Sequence, residues 1–458
     1  MTNLTFAAPL GLDDMFRHIT HEFEVPSGTK SIVLEYKIDP NHPGIGPLAH
    51  QVSLSLDGPD GSRGAQHNLP WLDSTRRVIS ENWSSPGYTP ALIEPGLWTL
   101  SIDIFRIMPP GNTCYEVTIT LSDEAEVGPT LPAPAAVADK GPGWYKGDLH
   151  GHTEHSDGNW SVADFIQHAR NRGLDFVTIT DHNTISGQPW AEALADDDLL
   201  VMCGIEVTTL FGHCLALGTR EWIDWRIKDG QTMTDRANAI MDAGYTYAIA
   251  HPMAEGHPWC AGCHWQFADV FPGPARLVEI WNGPWDMAKN ELGLRLFQTW
   301  LNKGIRMRAQ GGSDIHGLKG PEERYGYNRV WAEAFTEEAI LAGIRAGRNV
   351  ITHGPILDMQ ATSGAAFAGV GQELGGFGEI ELRLNWEQVP DNAQLIVETG
   401  SNGKTRQVHS MTIEGAGDAT VTIGGLPPRS WIMCQMRCNQ GDMLAVTNPV
   451  FVEGDWNE

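Results

Sequence analysis

The chain has 458 residues, which is enough for about three domains of ordinary size. Its 57 acidic and 31 basic residues give a formal net charge of −26, which argues against a protein that follows a nucleic-acid backbone or an anionic membrane surface. The seven cysteines are scattered, so no disulfide framework is predicted, and without a cationic leader or a long apolar run we expect a cytoplasmic protein with no membrane span.

Residues 1–122 have the pattern of antiparallel β-strands. Apolar residues fall at every second position in four runs, SIVLEYKID, HQVSLSLDG, LWTLSIDIF and CYEVTITLS. Turn signals such as GPDG and EPG separate these runs. We therefore predict a β-sandwich domain, followed by a linker at residues 123–143, which are rich in proline, alanine and glycine and have neither a helical nor a strand period.

Residues 144–354 alternate between strand-like and helical runs. The strand-like runs are YKGDLHGH, DFVTITDH, LLVMCGIEVTT, YTYAIAHP, RLVEIWN and RMRAQGGSDIH. The helical runs are SVADFIQHARNRG, DRANAIMDAG and AKNELGLRLFQTWLNKG. This alternation predicts parallel β and α units that close into a barrel. Residues 355–458 return to a strand period and predict a second β-sandwich domain.

Residues of the types that bind metals gather at the ends of the predicted strands in 144–354. Of the 17 histidines in the chain, 11 lie in this range. The ligand-type residues at or near the strand ends are His150, His152, Asp157, His182, Glu206, His213, His251, Asp314 and His316. In a parallel α/β barrel these ends converge on one rim. The set is too large for one tetrahedral zinc site, so it predicts two or three ions, for which imidazole and carboxylate favour Zn, Mn or Fe.

The motifs DLHGHTEHSDG, TITDH, GIEVTT, AIAHP and GGSDIH resemble, in this order, those of the polymerase and histidinol phosphatase (PHP) family of metal-dependent phosphoesterases. The resemblance implies an α/β fold, with a distorted (β/α)7 barrel between the N-terminal and C-terminal β-sandwich domains. The segments DGPDGSRG, EPGLWTLSI, LAGIRAGRNVITHGP and LAVTNPVFV resemble, less closely, the subgroup of this family named for carbaryl hydrolases.

The resemblance also implies how the ligands divide between two or three divalent ions. One ion would be held by His150, His152, Glu206 and Asp314. Glu206 would bridge to a second ion, held with His213, His251 or both. A third pocket would be formed by Asp157, His182 and His316.

Such a centre predicts a hydrolase in which a metal-bridging hydroxide attacks a phosphomonoester or a phosphodiester. The residues expected to carry catalysis are Glu206, Asp314, His182 and His316. The same hydroxide would attack a carbonyl, so a carbamate, ester or amide hydrolase is the alternative. A second alternative is a non-catalytic metal-binding or interaction protein, which a loss of ligands would favour, but every expected ligand is present.

Four residues outside the ligand set give expectations about the substrate. Trp259 and Trp281 predict a pocket for a small-molecule ester with an aromatic or nucleobase-like group, with ordinary packing as the alternative. Arg324 and Arg348 are expected to grip a phosphate, with solvated surface charge as the alternative. The pattern makes no prediction of the oligomeric state.

Three further features have two interpretations each. We expect His155 on the surface, with proton donation as the alternative. Asp181 is expected either to orient a ligand imidazole or to cap a helix. Residues 252–274 are expected to form a lid, although the C-x-x-C-H sequence within them is also compatible with a separate zinc or redox site.

Overall fold

The computed structural model describes residues 2–39, 49–67, 76–228, 230–286, 288–318, 324–376 and 378–458. The chain has a mixed α/β fold in which strands predominate. No helix in these described ranges is both long and apolar enough to cross a lipid bilayer.

The N-terminal part of the chain forms two four-stranded antiparallel sheets. Its strands are β1 (Thr2–Leu10), β2 (Arg17–Val25), β3 (Ser31–Asp39), β4 (Gln51–Gly58), β5 (Gly61–Gln66), β6 (Arg76–Ser80), β7 (Gly96–Arg106) and β8 (Thr113–Ser122). The strand orders are β1-β8-β3-β6 and β2-β7-β4-β5. Leu34 and Tyr115 from the first sheet and Leu54 and Trp98 from the second are buried in one shared core. We call residues 2–122 the N-terminal unit.

The segment between β8 and the next strand has no helix or strand in residues 123–142, all of which the structure describes. The elements that follow are β9 (Gly143–Asp148), α1 (Val162–Asn171), β10 (Phe176–Ile179), α2 (Gln188–Glu192), β11 (Leu200–Thr209), β12 (Gly212–Leu217), α3 (Met233–Asp242), β13 (Thr246–Ile249), β14 (Leu277–Asn282), α4 (Lys289–Asn302), β15 (Arg308–Gly312), β16 (Tyr327–Ala332), α5 (Glu337–Arg345) and β17 (Asn349–Thr352). We call residues 143–354 the central unit.

The central sheet contains two parallel groups of strands. One group is β9, β10 and β11, and the other is β13, β14 and β15. β12 pairs antiparallel with β11 and β13 and so joins the groups. β16 pairs antiparallel with β9, and the side chain of Asn328 on β16 bonds the backbone N–H and C=O of Gly311 on β15. The sheet therefore curls until its two ends meet.

The three predicted helices are present as α1, α3 and α4. Reciprocal capping by Ser161 with Asp164 fixes the start of α1, and Thr232 with Asp235 does the same for α3. The predicted succession of parallel strands is corrected by β12, because the chain reverses directly after β11. Gly212, at φ 152°, has a backbone conformation that other residues rarely adopt, and it begins the returning strand.

The C-terminal part of the chain is all β within the described residues. Its strands are β18 (Ile356–Ser363), β19 (Ala366–Gly369), β20 (Glu373–Leu374), β21 (Ile380–Ser401), β22 (Lys404–Ile423), β23 (Trp431–Arg437), β24 (Met443–Thr447) and β25 (Val450–Val452). Leu382, Leu395 and Ile432 lie in its core. β24 pairs antiparallel with β17, so the sheet continues across the boundary predicted between residues 354 and 355.

Candidate metal centre

The loop after β9 carries His150 and His152 and is held by Asp181. The Asp181 carboxylate accepts hydrogen bonds from Thr153 N, Thr153 Oγ1 and Ser156 Oγ, each at 2.7 Å. Asp181 therefore shapes the backbone that presents the histidines, a role that neither of its two predicted interpretations described.

Glu206 of β11 lies at the centre of the site and is fully buried. Its Oε2 lies 3.2 Å from Nε2 of both His150 and His152. Its Oε1 lies 3.0 Å from His213 Nδ1 and 3.0 Å from His251 Nε2. His182 Nδ1 also lies 2.9 Å from Oε2. One carboxylate thus faces five imidazoles, three at Oε2 and two at Oε1, which suits a ligand shared between two ions.

Asp314 completes the side of the site occupied by His150 and His152. Its Oδ1 lies 2.9 Å from His152 Nε2 and 3.4 Å from His150 Nε2. Asp314 has a φ of 50°, and His251 has a φ of 24°. Left-handed backbone at residues other than glycine costs roughly 1–3 kcal/mol and gathers at functional sites. Two of the candidate ligands are therefore held in strained backbone by the surrounding structure.

Asp157, His182 and His316 form a third group. Asp157 Oδ1 lies 3.2 Å from His316 Nε2 and 3.4 Å from His182 Nε2. His152 separates the two other histidines, stacking on His182 with ring centroids 4.2 Å apart and on His316 with centroids 4.3 Å apart. Asp157 and the three rings thus bring four ligand-type side chains together in one place.

The cluster contains three groups of side chains, and within each group the ligand atoms all lie within 4.8 Å of one another. The groups are His150, His152, Glu206 and Asp314; His182, Glu206 and His213; and His152, Asp157, His182 and His316. The structure thus brings all nine predicted metal ligands into one cluster, with His251 joined through Glu206.

The charges in the cluster suit a cation. Burial by itself would raise the pKa of Glu206, but the imidazoles of His150, His182 and His213 hold that pKa well below its ordinary value. Burial lowers the pKa of His213 to about 4, so this ring is neutral. The carboxylates raise the pKa of His152 to about 10 against the lowering effect of burial, so a divalent ion would compete with a proton there.

Buried polar atoms without hydrogen bonds test whether the residues fit divalent ions. Such atoms are uncommon in native proteins, because each forfeits the hydrogen bonds that it made with water. Among the described residues they include His150 Nε2, His152 Nδ1, Glu206 Oε2, His213 Nε2 and His251 Nδ1. Their concentration in one cluster of imidazoles and carboxylates fits Zn, Mn or Fe.

Glu279 of β14 is a functional residue that the sequence analysis missed. Its Oε1 lies 3.1 Å from His150 Nδ1, and its Oε2 accepts hydrogen bonds from His251 N and Asn282 Nδ2, both at 3.0 Å. A carboxylate behind a ligand imidazole fixes its tautomer and leaves Nε2 for the metal. The signal was the run LVEIWN, in which the acidic residue and not the tryptophan faces the site.

A cavity of about 480 Å³ opens beside the cluster. Its wall includes His251 and Asp314 from the cluster and Trp259, Asn282 and Lys289 from the surrounding loops and α4. Lys289 Nζ donates to Asn282 Oδ1 at 2.8 Å, and Asn282 Nδ2 donates to Asp314 Oδ2 at 3.2 Å. The sequence analysis did not select Lys289. Its ammonium group is linked to the cluster through the side chain of Asn282.

The structure places the four residues that were predicted to bind substrate in different environments. Trp259 is 55% exposed and lines the cavity. Trp281 is fully buried, and its indole N–H donates to Gly283 O, so packing and not a pocket wall accounts for it. Arg348 pairs with Glu333 at 2.8 Å and lines a different cavity, which corrects its assignment to the phosphate.

Arg324 is exposed and is not among the described residues that line the cavity beside the cluster. Its predicted contact with a phosphate stays a prediction. His155 is buried, and its Nδ1 lies 2.8 Å from Ser186 Oγ, so the expectation that it lies on the surface is wrong. His155 lies inside the loop that Asp181 holds, next to the segment that contains Ser186.

The C-x-x-C-H sequence contains a disulfide between Cys260 and Cys263, and both cysteines line the cavity. This pairing is a single bridge and not a disulfide framework. Gly262, between them, has φ 87°, and a Cβ there would meet Thr209 O at 2.6 Å and His213 Nε2 at 3.3 Å. Only glycine allows this loop to lie against a ligand of the cluster.

Residues 148–245 match the sequence model of the PHP domain. The chain is also similar, at 16% identity and a TM-score of 0.39, to the crystal structure of a two-domain protein from Bacteroides vulgatus that contains a predicted PHP-like metal-dependent phosphoesterase, with 71% of this chain and 100% of that chain covered. An amidohydrolase from Chromobacterium violaceum is similar at 17% identity and a TM-score of 0.28, over 37% of this chain and 87% of that chain. Among curated proteins, no sequence matches this chain. Similarities this distant carry no argument about activity, so the functional assignment depends on the PHP match and the geometry of the cluster.

Proposed function

We propose that the protein is a metal-dependent hydrolase that cleaves phosphomonoesters or phosphodiesters. The observation that carries this proposal is the position of Glu206, one fully buried carboxylate that faces imidazoles at both of its oxygens, inside a segment that matches the PHP domain. Two or three divalent ions of Zn, Mn or Fe fit the nine residues of the cluster.

Bound ions of this kind generate a nucleophile from water near neutral pH and neutralise charge on the oxygens of the substrate. Glu206 and Asp314 would supply the negative charge that holds the ions. Glu279 would keep the His150 ring in the tautomer that presents Nε2. His316 is 38% exposed at its side chain, so it lies where a proton could pass to a leaving group.

The cavity beside the cluster would bind the rest of the substrate. Lys289 would hold a non-bridging oxygen of the phosphoryl group, and Trp259 offers a flat apolar surface for an aromatic or nucleobase-like leaving group. The substrate would accordingly be a small-molecule ester with one anionic end and one aromatic end.

A carbamate, ester or amide hydrolase that uses the same metal centre is the second candidate. The charge of the cavity favours it in one respect. Among the described residues that line the cavity, Glu255 and Asp286 add two carboxylates beside the single ammonium of Lys289. A neutral substrate would enter the cavity without the repulsion that these carboxylates exert on a dianionic phosphate.

The experiment that tests the proposal compares three classes of substrate that share one leaving group. Chelator-stripped protein would be loaded with Mn, Zn or Fe, and nitrophenol release would be timed from phosphomonoester, phosphodiester and carbamate substrates. Faster release from a phosphate ester than from the carbamate supports phosphoester hydrolysis. Preference for the carbamate selects the second candidate, and release that Glu206→Gln does not reduce would contradict catalysis at this centre.

A further inference from the structure

One imidazole beside the cluster comes from outside the central unit. His67 follows β5 of the N-terminal unit and is 3% exposed. Its Nε2 lies 3.2 Å from Gln51 Nε2, and its Nδ1 lies 3.1 Å from Ser53 Oγ. Both ring nitrogens are thus occupied by β4 side chains, so the ring presents only its faces and edges to other residues. His67 is therefore not itself a metal ligand in this arrangement.

The His67 ring packs against His182. The two ring centroids are 4.6 Å apart, with an angle of 40° between the ring planes. His152 stacks on His182 at 4.2 Å, and Thr208 Oγ1 bonds its Nδ1. Two neighbouring rings and the contacts of Nδ1 with Thr208 and with Glu206 Oε2, at 2.9 Å, restrict the orientation of His182, whose Nε2 lies 3.4 Å from Asp157 Oδ1.

The N-terminal unit is fastened to the loops that carry these ligands. Gln66, next to His67, donates from Nε2 to Ser156 O at 2.8 Å, within the loop between His152 and Asp157. Gly87 N donates to Ser186 Oγ at 3.0 Å, in the segment that follows His182. These bonds fasten the end of β5 and the segment after β6 to the loops that carry the candidate ligands.

We propose that His67 is a positioning residue for the metal centre, and that the N-terminal unit is in this sense part of the site. Through its ring face, His67 fixes the His182 imidazole and keeps water from that side of the third ligand group. The proposal rests on the proposed metal centre but not on any substrate or reaction, because its test measures metal binding.

The test uses the full-length chain with His67→Ala and His67→Phe. Metal content after equilibrium dialysis and the visible spectrum of the Co²⁺-loaded protein would be compared with wild type. We expect His67→Ala to bind the ion of the Asp157, His182 and His316 group about 10–100-fold more weakly, as when other supports of a ligand are removed. The ion held by Glu206 and Asp314 should remain.

His67→Phe separates the ring face from the ring nitrogens, because it keeps an aromatic surface and loses the bonds to Gln51 and Ser53. We expect it to restore most of the affinity that His67→Ala loses. His21→Ala is the matched control: His21 lies in β2 of the same unit, stacks on Phe6 and contacts Tyr115, and no contact with the cluster is found for it among the described residues.

The proposal is overturned if His67→Ala binds metal as wild type does, if His67→Phe loses as much affinity as His67→Ala, or if His21→Ala produces the same loss. Metal-free circular dichroism of each variant checks folding. If His67→Ala does not fold, the comparison of His67→Phe with wild type decides the matter: retained affinity and an unchanged Co²⁺ spectrum support the ring-face role. Failure of hydrolysis in every variant would leave these metal readouts unaffected, so the two proposals fail separately.

Discussion

Glu206 illustrates how one side chain sets the chemistry of this site. A fully buried carboxylate is costly unless it is paired. Here five imidazoles lie within 3.2 Å of its two oxygens. Those rings keep the pKa of Glu206 well below its ordinary value although burial acts in the opposite direction. The residue therefore remains charged, which a bridging metal ligand requires.

Glu279→Gln should weaken metal binding about 10–100-fold, the usual effect of removing a carboxylate behind a ligand histidine. Glu279 accepts from His150 on one oxygen and from His251 N and Asn282 on the other. A glutamine whose amide oxygen kept the bond to His150 would turn its amide nitrogen toward His251 N and Asn282 Nδ2. Both of these atoms are donors, so neither bond would form. Dialysis against a competing chelator measures the effect.

Glu333→Gln provides the control for Glu279→Gln, since Glu333 is an exposed glutamate paired with Arg348 away from the cluster. Equal metal affinity in Glu279→Gln and wild type would contradict the supporting role of Glu279.

Lys289→Met should raise KM for a phosphate ester about tenfold or more, because a hydrogen bond to a charged group contributes roughly 1.5–3 kcal/mol. KM for a neutral carbamate should change little. Lys303→Met is the matched control, since Lys303 lies exposed at the opposite end of α4. Steady-state kinetics on both substrates measures the effect, and an equal rise in KM for both would show that Lys289 does not recognise charge.

The way in which the strands place the candidate ligands cannot be read from the spacing of apolar residues in the sequence alone. β11 is buried along its whole length, and β12 returns beside it in antiparallel register, with Thr208 opposite His213. This hairpin brings His213 to the same end of the sheet as Glu206. A parallel crossover at this point would have sent the next strand away from the site.

Helix α1 carries a buried titratable group outside the metal centre. Burial, assisted by Arg172, lowers the pKa of His168 to about 4, from an ordinary value of 6.5. Between these values the unfolded chain binds a proton that the folded chain does not. The stabilisation is therefore fully present above pH 6.5 and is lost as the pH falls toward 4.

His168→Phe should retain the ring that packs on Trp160 and remove this loss. We expect the variant to lose less thermal stability than wild type when the pH falls from about 7 to about 5. Thermal unfolding of both metal-free proteins at the two pH values measures the difference. The same loss in variant and wild type would mean that His168 does not titrate in this interval.

At the scale of the whole molecule, the central unit that carries the cluster is joined to both of the other parts of the chain. Arg226 of the central unit pairs with Asp57 of the N-terminal unit at 2.9 Å, and Arg106 donates to Pro258 O at 2.7 Å in the loop beside the cavity. On the other side, β17 pairs with β24. Metal binding should consequently stabilise more than the loops that hold the ions.

Removing the metal should lower the thermal unfolding temperature. A ligand that binds only the folded state stabilises it by about 2.7 kcal/mol at a free concentration of 100 Kd. Scanning calorimetry with Mn or Zn added after chelation measures the shift. Glu206→Gln should show little of it, and a full shift in that variant would place the stabilising metal elsewhere.

Much of this site was accessible from the sequence because its ligands stand in short motifs. His150 with His152, and Asp314 with His316, follow strands whose apolar runs are plain, and parallel strand ends converge. The strand Ser31–Asp39 was predicted with its observed bounds. Trp281 and Arg348 were misjudged because nearness in sequence to a motif does not say which way a side chain points. The cytoplasmic location stays a prediction.

The sequence by itself therefore indicated the PHP resemblance, the set of candidate ligands and the alternation of strands and helices, since these depend on residue types at short, regular spacings. Only the tertiary structure decided that Glu206 faces five rings, that Glu279 supports His150, and that His67 lies against His182, about 115 positions along the chain. Contacts between distant segments depend on how sheets curl and pack, and no local pattern encodes which surfaces will meet.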